Sequence, residues 1–120
     1  MARDFSAGDF LIFQIESGFG LLRVLAVDEA ENGEPTWHIS AYEDMFLDVE
    51  QVDFALENKA NLTVSIPHVA LTNRAFLSTQ VSKMLNKPLQ DNELQAFNDW
   101  KTNLQCEVSD RSVRLMLGLR

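Results

Sequence analysis

Apolar positions crowd the first quarter of the chain and thin out afterwards. In residues 8–27, GDFLIFQIESGFGLLRVLAV, Phe10, Ile12 and Gln14 alternate with Leu11, Phe13 and Ile15. An arm apolar on nearly both sides predicts a central strand, covered on both faces. Leu21, Leu22, Val24, Leu25 and Val27 form a return arm in which Arg23 is the only charge. Gly18 and Gly20 flank Phe19, and glycine reaches positive φ at little cost, so the pattern predicts a β-hairpin whose connection lies at these glycines. Residues 1–7 predict a loose lead-in.

The pattern then changes period several times. Residues 28–35, DEAENGEP, predict a polar loop, with Asn32-Gly33 and Pro35 as turn signals. Residues 36–42 alternate, Trp37, Ile39 and Ala41 against His38, Ser40 and Tyr42, and predict a half-buried strand antiparallel to the return arm. Met45, Val49, Val52 and Leu56 fall at helical spacing and predict a helix over about 48–58, capped by Asp48. Phe46, Leu47 and Phe54 lie off that stripe, so a strand followed by a short helix fits as well. Leu62, Val64 and Ile66 share one face of a strand that Pro67 either ends or confines to a sheet edge. Leu77, Val81, Met84 and Leu85 predict a helix over 74–85 capped by Asn73. Asp91 opens a second helix to about Leu104, with Leu94, Phe97, Trp100 and Leu104 inward and Glu93, Asp99 and Lys101 outward. The short connection would make these two helices an antiparallel or steeply crossed pair. Residues 107–120 suit a strand through Val113, Leu115, Leu117 and Leu119, or a helix capped by Ser109 or Asp110. The strand is preferred, because the hairpin has apolar faces to cover. Strands first and helices later make one α+β domain over residues 1–120. It is a small antiparallel sheet or partial barrel led by the hairpin, with two or three helices packed on one side.

At 120 residues such a domain buries a core without disulfide or metal, and its one cysteine, Cys106, forbids an intrachain disulfide. The first ten residues lack a signal peptide's apolar stretch and no run is long enough to span a bilayer, so the expectation is a cytoplasmic chain with no membrane association. Charge changes the picture more. The net charge is −8, and residues 28–58 hold ten acids and no Lys or Arg. Residues 59–120 hold eight bases and five acids. An acidic middle argues against nucleic acid, whose binding needs a basic stripe.

Chemistry is sparsely marked. The loop at 28–35 matches a calcium loop at Asp28, Asn32 and Gly33, but Ala30 and Ile39 stand where oxygen ligands belong. A solvated acidic turn is expected there. His38 and His68 are thirty residues apart, without any zinc-ligand spacing. Cys106 with either histidine makes a Cys–His site only by chance co-occurrence. Gly18-Phe19-Gly20 lacks the remaining parts of a phosphate loop. Trp37 and Trp100 are expected as core anchors, and Arg74, Lys83, Lys87 and Lys101 as an ordinary solvated face. No metal, no cofactor and no enzyme activity are expected.

The run Gly8-Asp9, Gly18 and Gly20-Leu21-Leu22-Arg23-Val24-Leu25 resembles the opening of small immunity proteins that bacteria use against polymorphic toxins. The likeness covers about the first quarter of the chain and implies a binding protein whose acidic face plugs a basic toxin site. The charge map independently suggests a non-catalytic protein that engages a basic protein partner through Glu43, Asp44, Asp48, Glu50, Asp53 and Glu57. The rivals are a small ligand-binding domain or enzyme with a pocket near His68, Tyr42 and Arg23, and a structural or interaction domain without a ligand.

Overall fold

The computed structural model describes residues 5–29, 32–58, 61–103 and 105–118. The N-terminal hairpin forms as the alternation predicts, from β1 (Asp9–Ile15) and β2 (Gly18–Glu29). Its turn is Glu16-Ser17, two residues earlier than the glycines suggest. Gly18 and Gly20 lie inside β2 and serve close approach rather than positive φ. A Cβ on Gly18 would overlap the carbonyl of Phe46, and one on Gly20 the ring of Phe13. β3 (Pro35–Phe46) returns along β2 through a turn in which the Asn32 side chain accepts from the Glu34 amide and Gly33 takes a φ of +84°. It is longer than the predicted 36–42 strand, and His38, Ser40 and Tyr42 are buried like Trp37, Ile39 and Ala41, so both its faces are covered.

Asp48 caps α1 (Val49–Glu57), its carboxylate accepting from the Gln51 amide at 2.8 Å. A strand ending at Phe46 and then a short helix is therefore the outcome. Val52 and Leu56 face inward as expected, while Met45 and Val49 are exposed. β4 (Val64–Leu71) runs through Pro67 as an edge strand. Its pairing with β3 shifts register on either side of Ala41, so Leu62 and Ile66 pack into different clusters instead of sharing one face.

The predicted helix over 74–85 is the main correction. Only α2 (Asn73–Leu77) is helical, capped by Thr72 and not Asn73, and Val81–Asn86 is a fifth strand, β5, paired with β1. Without β5 the apolar β1 would be an unpaired edge, which proteins avoid. The predicted helix pair does not exist. α3 (Asp91–Thr102) forms where expected, with Phe97 buried and Trp100 half-buried at the rim. Glu93 turns inward, contrary to expectation, to meet Arg23, and Leu104 lies outside the described residues. In the tail, Ser109 makes a parallel bridge to Leu71, and α4 (Val113–Met116), capped by Ser112, replaces the preferred strand.

The strands lie in the order β4-β3-β2-β1-β5, all neighbours antiparallel, in an open sheet and not a closed barrel. Helices cover both faces, not one. On one face, α2, α4 and Phe5 pack on Leu11, Phe13, Leu22, Trp37 and Ile39, and Trp37 stacks on Phe76 at 4.2 Å. Phe5 is therefore no part of a loose lead-in; residues 1–4 lie outside the described residues. On the other face, α1 packs through Val52 and Leu56 on Phe10, Ile12, Leu21 and Tyr42, and α3 lies beside it over Arg23 and His38. Among the described residues, no helix is long and apolar enough to cross a membrane.

Candidate functional site

The acidic residues are placed by the turn from β3 into α1. Glu43, Asp48, Glu50, Asp53 and Glu57 are exposed, and Asp44 is half-buried. Two of the six have structural tasks: Asp48 is the cap of α1, and Asp44 accepts the Thr63 amide at 2.6 Å. The other four are exposed. Between them stand side chains that their hydrophobicity would place in the core. Leu47 is 73% exposed and Phe54 68%. On α1, Glu50, Phe54 and Glu57 are four and three residues apart, so they form one stripe, with Asp53 alongside. The Gln51 side chain accepts from the Leu47 amide at 3.1 Å, which fixes the corner that carries Leu47. The corner and α1 thus expose two large apolar side chains among exposed acids.

Of the three residues of the rival pocket, Arg23 and Tyr42 line one cleft and His68 does not. Arg23 is 2% exposed and fully engaged. It donates to the Gly8 carbonyl at 2.8 Å and the Pro88 carbonyl at 3.2 Å, holds Glu93 through two bonds at 3.1 and 3.3 Å, and lies 4.0 Å over the Phe10 ring. This is a buried cation that ties three segments together. Tyr42 lies between two adjoining clefts of about 340 and 400 Å³ between the sheet, α1 and α3. Burial, the first cause, pushes its phenol pKa up, and Glu93 and Asp44 add to that, against Arg23 and a hydrogen bond with Ser40. The acids on the α3 side of these clefts are already engaged, Glu93 by Arg23 and Asp99 by Gln95. His68 lines a separate cleft with Trp100 and Ser109.

His68 instead meets His38. His38 Nδ1 lies 3.0 Å from His68 Nε2, and His38 Nε2 lies 2.7 Å from Asp28 Oδ2. His38 is completely buried on β3, and the Phe97 and Trp100 rings of α3 roof it at 4.6 and 4.7 Å. Burial lowers the pKa of both imidazoles, that of His68 to about 4. For His38, Asp28 works against burial and Lys101 with it. For His68, the neighbouring His38 adds to burial. The sequence interval of thirty residues concealed this contact. The usable signal was the alternation of β3, which put His38 opposite Trp37; the register shift of β4 beside Pro67, which completes the contact, is seen only in the structure. The three groups form a chain and do not converge on a point, and among the described residues no cluster of three or more such side chains is arranged to hold a metal.

The remaining candidates are structural or peripheral. Cys106 is exposed, with a φ of +28°, and its thiol lies 2.9 Å from the Asn103 carbonyl. Of the basic residues expected on a solvated face, Arg74, Lys83 and Lys101 are exposed and Lys87 is half-buried, and each has a partner: Lys83 pairs with buried Asp9 at 3.3 Å, Arg74 with Asp110, Lys87 donates to the Leu56 carbonyl at the end of α1, and Lys101 sits 4.7 Å over Phe97. No family model, curated protein or solved structure matches the chain.

Proposed function

We propose that the protein is a non-catalytic binding protein that engages a basic protein partner through the outer face of α1 and the β3–α1 corner. The observation that carries this reading is the exposure of Leu47 and Phe54 on a segment whose acids are also exposed. Leaving two large apolar side chains in water forgoes roughly 1.5–3 kcal/mol each relative to burial, which a protein interface would recover. Protein interfaces combine an apolar anchor with a polar rim, and a rim of one sign selects the partner's sign and speeds encounter. Residues 28–58 carry no base to neutralise those acids internally. The likeness of the hairpin to toxin-immunity proteins points to the same class of partner, a cationic protein surface. The fully engaged Arg23 and the separation of His68 from Tyr42 favour this reading over a catalytic pocket.

The test separates anchor from rim. Glu43, Glu50, Asp53 and Glu57 are reversed to Lys together, leaving the cap Asp48 and the strut Asp44 in place. Leu47 and Phe54 are changed to Ala in a second variant. Partners captured by the parent from its native cells at low salt are then titrated against each variant. The reversal is expected to abolish binding, and the apolar truncations to weaken it by about tenfold or more. Unchanged affinities with both variants folded would overturn the reading.

A further inference from the structure

The chain Asp28–His38–His68 has a proton capacity set by its geometry. The Asp28 carboxylate only accepts, so His38 must donate through Nε2. The neutral His38 ring then accepts at Nδ1, and His68 donates from Nε2 across the 3.0 Å contact. One added proton fits. His38 becomes the imidazolium, donating to Asp28 on one side and to His68 on the other, while His68 carries its own proton on Nδ1. A second proton does not fit, because two N–H groups and two positive charges would face each other across the same contact. His38 lies inside β3, hydrogen-bonded between β2 and β4, and has no way out. His68 is on edge strand β4, beside Pro67 where the register shifts, and is the ring able to leave.

The surrounding charges define the response. Asp28 of β2 stabilises the first proton. Lys101 of α3 lies over Phe97 and opposes protonation. Glu107 lines the cleft beside His68, and Asp99 of α3 lines the neighbouring one with Pro67. The second half of α3 rests on the two histidines through Phe97 and Trp100, whereas its first turn is held by Glu93 and Arg23. We propose that Asp28, His38 and His68 form an acid-sensitive clasp, in which one proton is stored between the rings and a second expels His68 and frees the Trp100 end of α3 from the sheet. This device is independent of the partner-binding face on α1.

Backbone hydrogen exchange of the whole chain tests it, corrected for the intrinsic pH dependence of exchange. Between about pH 7 and pH 4, amides in the second half of α3 are expected to lose protection by about tenfold or more, while β1 and β2 keep theirs. His68→Phe keeps an aromatic ring against Phe97 and Trp100 and cannot be protonated, so its α3 protection is expected to be independent of pH. Equal pH dependence in parent and variant, or loss of protection in α3 and the hairpin together, overturns the clasp. Should the variant not fold, ring-nitrogen shifts of the parent decide. Two histidine steps separated by about a pH unit or more, with α3 amide shifts following the lower, support the clasp. One shared step, or α3 shifts that follow neither, overturns it.

Discussion

Arg23 shows how far a single residue can be interpreted without its neighbours. As the lone charge in an apolar strand it invites a functional role, and in the fold its donors are distributed over Gly8, Pro88 and Glu93. A buried guanidinium is tolerated only when paired and hydrogen-bonded throughout, and removing one member of such a set is costly. Arg23→Ala is expected to destabilise the protein by about 3–5 kcal/mol, read from urea unfolding. Glu93→Gln, at a partly exposed position, should cost clearly less; equal costs would mean that the ion pair dominates over the two backbone bonds. The glycines show the complementary limit. Gly18 and Gly20 were visible as special, but the need they meet is room for the Phe46 carbonyl and the Phe13 ring. That need arises from strand pairing, which composition does not reveal.

Whole elements were legible where periodicity was unambiguous. β1, β2, α1 and α3 follow from their own residues. Residues 74–85 did not, because Leu77, Val81, Met84 and Leu85 satisfy a helical stripe, whereas residues 81–86, VSKMLN, lack the alternation of a strand. What decides between them lies elsewhere: β1 needs a partner on its free side, and β5 supplies it. The two arrangements differ in a measurable way. In the sheet, Val81 is in the core and Leu77 is 37% exposed. Val81→Ala should therefore cost about 1–3 kcal/mol and Leu77→Ala under about 1 kcal/mol in denaturant unfolding. A helix over the whole stretch would make the two costs alike. The tail is ambiguous: its apolar spacing fits either period until Ser109 bridges to Leu71 and the cap at Ser112 starts α4. In the candidate surface, the acids were legible as composition. Leu47 and Phe54 were legible only as residues off the helical stripe, and their exposure needed the packing of Val52, Ala55 and Leu56 to be known.

At the scale of the molecule, charge and burial respond to pH in different windows. Both histidines have folded-state pKa values below the ordinary imidazole range, His68 at about 4, because burial disfavours their charged forms. The unfolded chain, with ordinary histidines near pH ~6.5, then binds more protons than the folded one over about pH 4–6.5, so stability rises with pH across that window and falls on acidification. Asp9 acts in a lower window. Its burial raises the pKa, but hydrogen bonds from Asn86, Ser6 and Lys83 outweigh that, so its contribution is present above the ordinary carboxylate range and is lost only as pH falls through its depressed value. The net charge of −8 works in the opposite sense: neutralising surface acids relieves self-repulsion as the pH approaches the isoelectric point near 4.6. A fall in Tm between about pH 6.5 and 4.5 is therefore expected in spite of the shrinking net charge, and the histidine pair is its source. After discounting for partial solvent access, the loss should be about 1–2 kcal/mol. His68→Phe should flatten the decline while leaving the steeper loss below about pH 4 in place. Thermal unfolding of parent and variant across this range checks the assignment. A parent whose stability does not change between about pH 7 and pH 5 would mean that the two imidazoles titrate as they do in the unfolded chain, and that their burial carries no proton linkage.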